Sequence, residues 1–178
     1  MFLSMRQGNA GGEGGSETRT WVSADEAAAT SRVIGAAVAV HRSLGPGFGE
    51  ALYHRALERE MELRGIPFAS EIEAEVRYGG IVVGRHRLDL VASGGIVVEL
   101  KAVQSLGPVH FSQVRSYLKA THLSIGLLLN FAATRLVIKR VILPEDTMRA
   151  HSGLPSLQAF PRLPVHRAKS DPPRASAG

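Results

Sequence analysis

The chain has 178 residues, 44% hydrophobic and 21% charged, with a formal net charge of +5. This is ordinary for one globular domain with a proper core, and the modest positive excess is compatible with nucleic acid without demonstrating it. There is no cysteine, which excludes a disulfide frame, thiolate chemistry and a Cys-based zinc site, and fits a cytoplasmic setting.

Residues 1–22 are Gly-rich and polar and lack the apolar core of a signal peptide. No stretch is long and apolar enough to span a membrane. Residues 144–178 are rich in Pro, Ser and Arg, with Arg162, Arg167, Lys169 and Arg174 among them. We expect a disordered N-terminal segment over 1–22, a folded domain over 23–143 and a basic flexible tail over 144–178. The tail reads more simply as a solvated segment than as a phosphate-binding one.

Ser23-x-x-Glu26 is a capping box and predicts a helix over about 24–43, stopped by Leu44-Gly45-Pro46-Gly47. His41 falls in its last turn, where a structural or phosphate-contacting role is expected before a catalytic one. A second helix is predicted over about 49–64, ended by Gly65 and Pro67. Glu50 lies in its first turn, where the helix dipole alone would favour a carboxylate. Tyr53 and His54 follow at i+3 and i+4, near the same face.

Phe68–Tyr78 alternates Ile72, Ala74 and Val76 with Glu71, Glu73, Glu75 and Arg77, as a half-exposed strand does. Gly79-Gly80 turns it into a strand over Ile81–Ala92, and Ser93-Gly94-Gly95 turns that into one over Ile96–Val103. A helix over about 109–121 follows, with Val114 and Leu118 as its buried stripe and Gln113 and Tyr117 on one flank. Leu123–Phe131 and Leu136–Leu143 are two further strands, the first apolar enough for burial on both faces. The order predicts an α/β fold with a mixed sheet against helices.

The chemistry concentrates in the hairpin around Gly94. Alternation puts Leu88, Leu90, Val98 and Leu100 on one face and Arg87, Asp89, Glu99 and Lys101 on the other. A pivot on Gly94 sets Asp89 opposite Glu99, whereas a half-step slip would mix the two faces. Two carboxylates about 5 Å apart repel unless a proton, a cation or a metal ion relieves them. Hard oxygen donors at that separation suit Mg²⁺, with Mn²⁺ as an alternative, and Lys101 supplies a cation two residues beyond Glu99. A salt-bridge cluster of purely structural role is the competing reading of Glu50, Asp89, Glu99 and Lys101.

The spacing Asp89…Glu99-Leu100-Lys101 resembles the active-site signature of the PD-(D/E)XK nuclease superfamily. Gly47-Phe48-Gly49-Glu50-Ala51-Leu52-Tyr53 is similar to the motif of its GxxExxY protein family, as are Leu44-Gly45-Pro46-Gly47 and Gln113-x-x-x-Tyr117-Leu118. The resemblance runs from about Val33 to Leu143 and implies a restriction-endonuclease-like fold. It implies Asp89, Glu99, the Leu100 carbonyl and Glu50 as metal ligands, Lys101 as the catalytic cation and Gln113 as a water or phosphate contact. An ordinary surface amide is the equal alternative for Gln113. Arg85 and Arg87 would hold flanking phosphates, with salt-bridge relief of Asp89 or Glu99 as the equal alternative for Arg87, and Tyr53 and Tyr117 would border the substrate, Tyr53 more simply hydrogen-bonding or packing behind Glu50.

The expected function is Mg²⁺-dependent hydrolysis of phosphodiester bonds in nucleic acid, DNA ahead of RNA. The alternatives are a catalytically silent module binding nucleic acid or protein, and a phosphoesterase for small phosphates, which would need an enclosed pocket. A homodimer or another protein partner is left open. No zinc finger, helix-turn-helix or set of stacking aromatics for sequence readout is evident.

Overall fold

The computed structural model describes residues 24–144. The expected N-terminal segment, the Ser23 half of the capping box and the basic tail lie outside the described residues. The elements run α1 (Ala24–Leu44), α2 (Glu50–Leu63), β1 (Phe68–Tyr78), β2 (Ile81–Ala92), β3 (Ile96–Lys101), α3 (Pro108–Thr121), β4 (Ile125–Asn130) and β5 (Val137–Ile142). Among them no helix is long and apolar enough to cross a membrane.

Local chemistry sets the boundaries that matter for the site. α1 ends where the Gly45 N–H bonds the His41 carbonyl at 2.9 Å and Pro46 cannot continue the helix. α3 starts with Pro108, whose missing N–H costs nothing there, behind Gly107, whose N–H donates to His110 Nδ1 at 2.9 Å. β3 stops at Lys101, two residues before the expected end. The Asn130 side chain then takes over the backbone of Val103, accepting its N–H at 3.1 Å and donating to its carbonyl at 2.7 Å.

The five strands form one sheet in sequence order, with β3 and β4 parallel and the other neighbours antiparallel. α3 is the crossover that parallel pairing requires. α1 and α2 cover one face through Val33, Ala37, Tyr53 and Leu57, against Leu90, Val98, Leu100 and Leu127. α3 covers the other through Val114, Tyr117 and Leu118, against Val91, Val97 and Leu128. β4 is buried along its whole length, as its unbroken apolar run requires.

The hairpin register pivots on Gly94, with Leu90 paired to Val98 and Ala92 to Ile96. One expectation fails. Leu88 does not share the face of Leu90, Val98 and Leu100; it packs into the α3 side. The regular alternation is interrupted at Asp89. Its expected partner Glu71 adopts φ 52, and the pair drops out of the β1–β2 ladder between Ser70–Leu90 and Ile72–Leu88.

Gly126 provides a test of the α3 packing. A Cβ added there would collide with Val114 Cγ1, and a β-branched side chain has little rotamer freedom to retreat. Gly126→Ala is therefore expected to cost about 1–3 kcal/mol. Urea denaturation should show the loss, and Val114→Ala in the same chain should cancel part of it.

Candidate metal-dependent active site

α2 brings the first acid to the site. Gly47, at φ +112, turns the chain in a way other residues rarely adopt, and α2 begins at Glu50. Tyr53 holds this loop. Its hydroxyl donates to the Gly45 carbonyl at 2.6 Å and accepts the Phe48 N–H at 3.2 Å, while its ring stacks on Phe131 with centroids 4.6 Å apart. Tyr53 is fully buried, so it braces the loop and does not meet a substrate. Tyr53→Phe is expected to lose about 1–2 kcal/mol in a denaturant titration, because it leaves both loop groups without this partner.

The hairpin brings the other three residues. β2 and β3 stay paired only from Leu90–Val98 to the turn. Beyond that the strands part, and Asp89 Oδ2 accepts the Leu100 N–H at 2.8 Å in place of a main-chain carbonyl. The parting leaves Asp89 close enough to Glu99 for its charge to act on that carboxyl, where the pairing of two interior strands ends. Glu99 is 2% exposed. Its Oε1 accepts a hydrogen bond from Lys101 Nζ, whereas its Oε2 is buried without a hydrogen-bond partner. Lys101 Nζ also lies 3.9 Å from Glu50 Oε1, which links α2 to the pair.

Burial and the neighbouring Asp89 charge push the Glu99 carboxyl up to about 7, against the opposing pull of Lys101. Burial pulls Lys101 down, but its hydrogen bond to Glu99 and the charges of Glu99, Glu50 and Asp89 outweigh this, so its pKa is raised. Lys101 therefore stays an ammonium at neutral pH. It can stabilise negative charge but has no lone pair for general-base work.

The other predicted residues divide. Tyr117 on α3 is nearly buried and close enough to feel Glu99, Asp89 and Lys101; desolvation by burial raises its pKa. Gln113 donates to the Tyr117 hydroxyl at 2.6 Å and so joins the site through it. Arg87 is exposed and paired with Glu71, and Arg85 lies 4.0 Å from Glu73 and 3.8 Å from Glu75. Both arginines thus have glutamate partners on β1, with which a phosphate would have to compete. His41 is structural: its Nε2 donates to the Ala133 carbonyl at 3.0 Å.

A groove of about 610 Å³ runs between α2 and the β1–β2 hairpin, with Glu50 and Asp89 in its wall. His54, Arg55, Glu58 and Glu71 also line it, and none of these was singled out for a functional role from the sequence. The available signal was the i, i+4, i+8 stripe of Glu50, His54 and Glu58 along α2.

The donor set is hard oxygen throughout, which fits Mg²⁺ or Mn²⁺ and not a thiophilic metal. Among the described residues no three His, Asp or Glu side chains form a preformed cage. The orphaned Glu99 Oε2 is the feature a cation would satisfy.

A model of the PD-(D/E)XK nuclease superfamily matches residues 27–141. No curated protein matches the chain. Among solved structures, the crystal structure of SSO0001 is similar, with 23% identity, a TM-score of 0.43, and coverage of 58% of this chain and 55% of that one. This chain thus spans about half the length of that protein. The mixed sheet with helices on both faces has the restriction-endonuclease-like architecture, and the chain belongs to the PD-(D/E)XK nuclease superfamily.

Proposed function

We propose that this protein is a Mg²⁺-dependent nuclease that hydrolyses phosphodiester bonds of nucleic acid, DNA in preference to RNA, and that it belongs to the GxxExxY branch. The observation that carries the proposal is the buried Glu99. It keeps one unpartnered carboxylate oxygen beside Asp89 and a lysine that remains charged. A structural ion pair gives no reason to leave that oxygen unsatisfied, and a site for a divalent cation does.

In this reading Glu99 Oε2, the second oxygen of Asp89 and the Leu100 carbonyl would hold the ion, and Glu50 would complete the set from α2. The ion would supply Lewis acidity toward the phosphodiester and acidify a water. Lys101 holds its ammonium against the charge that develops on the phosphate in the transition state. Tyr117, with Gln113 behind it, borders the reacting groups. Arg87 and Arg85 offer flanking cations once a phosphate displaces their glutamates.

The test is cleavage of single-stranded, duplex and branched DNA and RNA with Mg²⁺ or Mn²⁺, comparing the wild type with Glu99→Ala. Metal-dependent cutting that disappears in the variant is the expected result. A wild type that binds nucleic acid but cuts none of the panel would replace this reading with a silent binding module.

A further inference from the structure

Asp89 is absent from both ladders of its own strand. Toward β1 its pairing with Glu71 is missing, and toward β3 the ladder ends at Leu90–Val98. A residue released on both sides needs another anchor if its carboxylate is to stay aimed at Glu99. His54 meets it from α2, with Nε2 3.2 Å from the Asp89 main-chain carbonyl. A carbonyl oxygen only accepts, so Nε2 carries the proton in this contact.

Glu58 lies one turn further along α2, beside the imidazole. His54 Nδ1 lies 3.7 Å from Glu58 Oε2, and the other Glu58 oxygen accepts a hydrogen bond from Ser70 Oγ. Ser70 pairs with Leu90, the last regular β1–β2 pair before the break. Ser70, Glu58, His54 and the Asp89 carbonyl thus follow one another in a series around the break. Asp89 Oδ2 continues it to the Leu100 N–H.

We infer that His54 is a positioning residue: it fixes the main chain of Asp89, so that the carboxylate holds Leu100 and faces Glu99. The geometry stands without a metal; its consequence for metal binding rests on the proposed role of Asp89. An outer partner of this kind typically changes metal affinity about 10- to 100-fold when removed.

The test compares wild type, His54→Leu and His54→Gln, the last of which can place an amide N–H near the Nε2 position. Amide hydrogen exchange of metal-free protein is read at Leu100, with Leu127 and Leu129 as core references. The inference expects Leu100 to exchange roughly tenfold faster in His54→Leu while the references hold, and to be restored in His54→Gln. Mn²⁺ affinity should fall by about 10- to 100-fold in His54→Leu and recover in His54→Gln. Unchanged Leu100 exchange, or a loss that His54→Gln does not restore, would overturn the inference. If the exchange results hold but wild type binds no Mn²⁺, the positioning role stands and the nuclease reading fails.

Discussion

Replacing Lys101 by Met is expected to lower metal-dependent cleavage by about 10²–10³-fold, the usual loss when one preorganised donor to a developing charge is removed. The same variant should be less stable without metal. Glu99 is buried and Lys101 is its ion-pair partner, so removing the ammonium leaves an uncompensated carboxylate in the interior. Breaking such a pair costs about 3–5 kcal/mol when the remaining group is charged. The double variant Glu99→Gln, Lys101→Met should regain most of that stability and none of the activity. Denaturation at pH 8 with parallel cleavage assays reads both. Full activity in Lys101→Met would remove the lysine from the mechanism.

The pH dependence of stability is the second large effect. The folded Glu99 titrates at about 7 against an ordinary 4.5, so the native state binds this proton more tightly than the unfolded chain. Its contribution to stability is complete below about pH 4.5 and is lost as pH rises through about 7, amounting to about 3 kcal/mol at most. Glu99→Gln removes the titration, so wild type and variant should diverge between those limits, with the wild type losing ground. Saturating Mg²⁺ should reverse the trend, because a bound cation favours the ionised carboxylate. Chemical denaturation across pH 4–8, with and without Mg²⁺, gives the comparison. Parallel curves for wild type and Glu99→Gln would show that Glu99 titrates normally.

Much of this site is legible in the sequence, for identifiable reasons. β1 and β2 have the bounds that alternation and the Gly79-Gly80 turn predict. The pivot on Gly94 follows from keeping one face apolar, and it brings Asp89 to the same end of the hairpin as Glu99. Four features escape because they depend on tertiary structure. Leu88 changes side because Glu71 leaves the ladder at φ 52, which period-two alternation cannot register. Tyr53 packs and hydrogen-bonds as expected, but its stacking partner Phe131 is distant in sequence and no local pattern points to it. His54 meets the Asp89 carbonyl where both ladders of β2 are interrupted, a contact no local pattern encodes. Asn130 likewise reads as one polar residue closing an apolar strand until its pairing with Val103 is seen.

The orphaned Glu99 oxygen is expected to be a cation ligand. Calorimetric titration of Mn²⁺ into wild type, Glu99→Gln and Asp89→Asn at pH 7.5 tests it most directly. The wild type should bind, with affinity falling on the order of 100-fold in each variant while the fold is retained. Binding near pH 6, where Glu99 is still largely protonated, should release a proton. A wild type that takes up no ion, or variants that bind as tightly as the wild type, would contradict that expectation and leave Glu50, Asp89, Glu99 and Lys101 as a structural charge cluster.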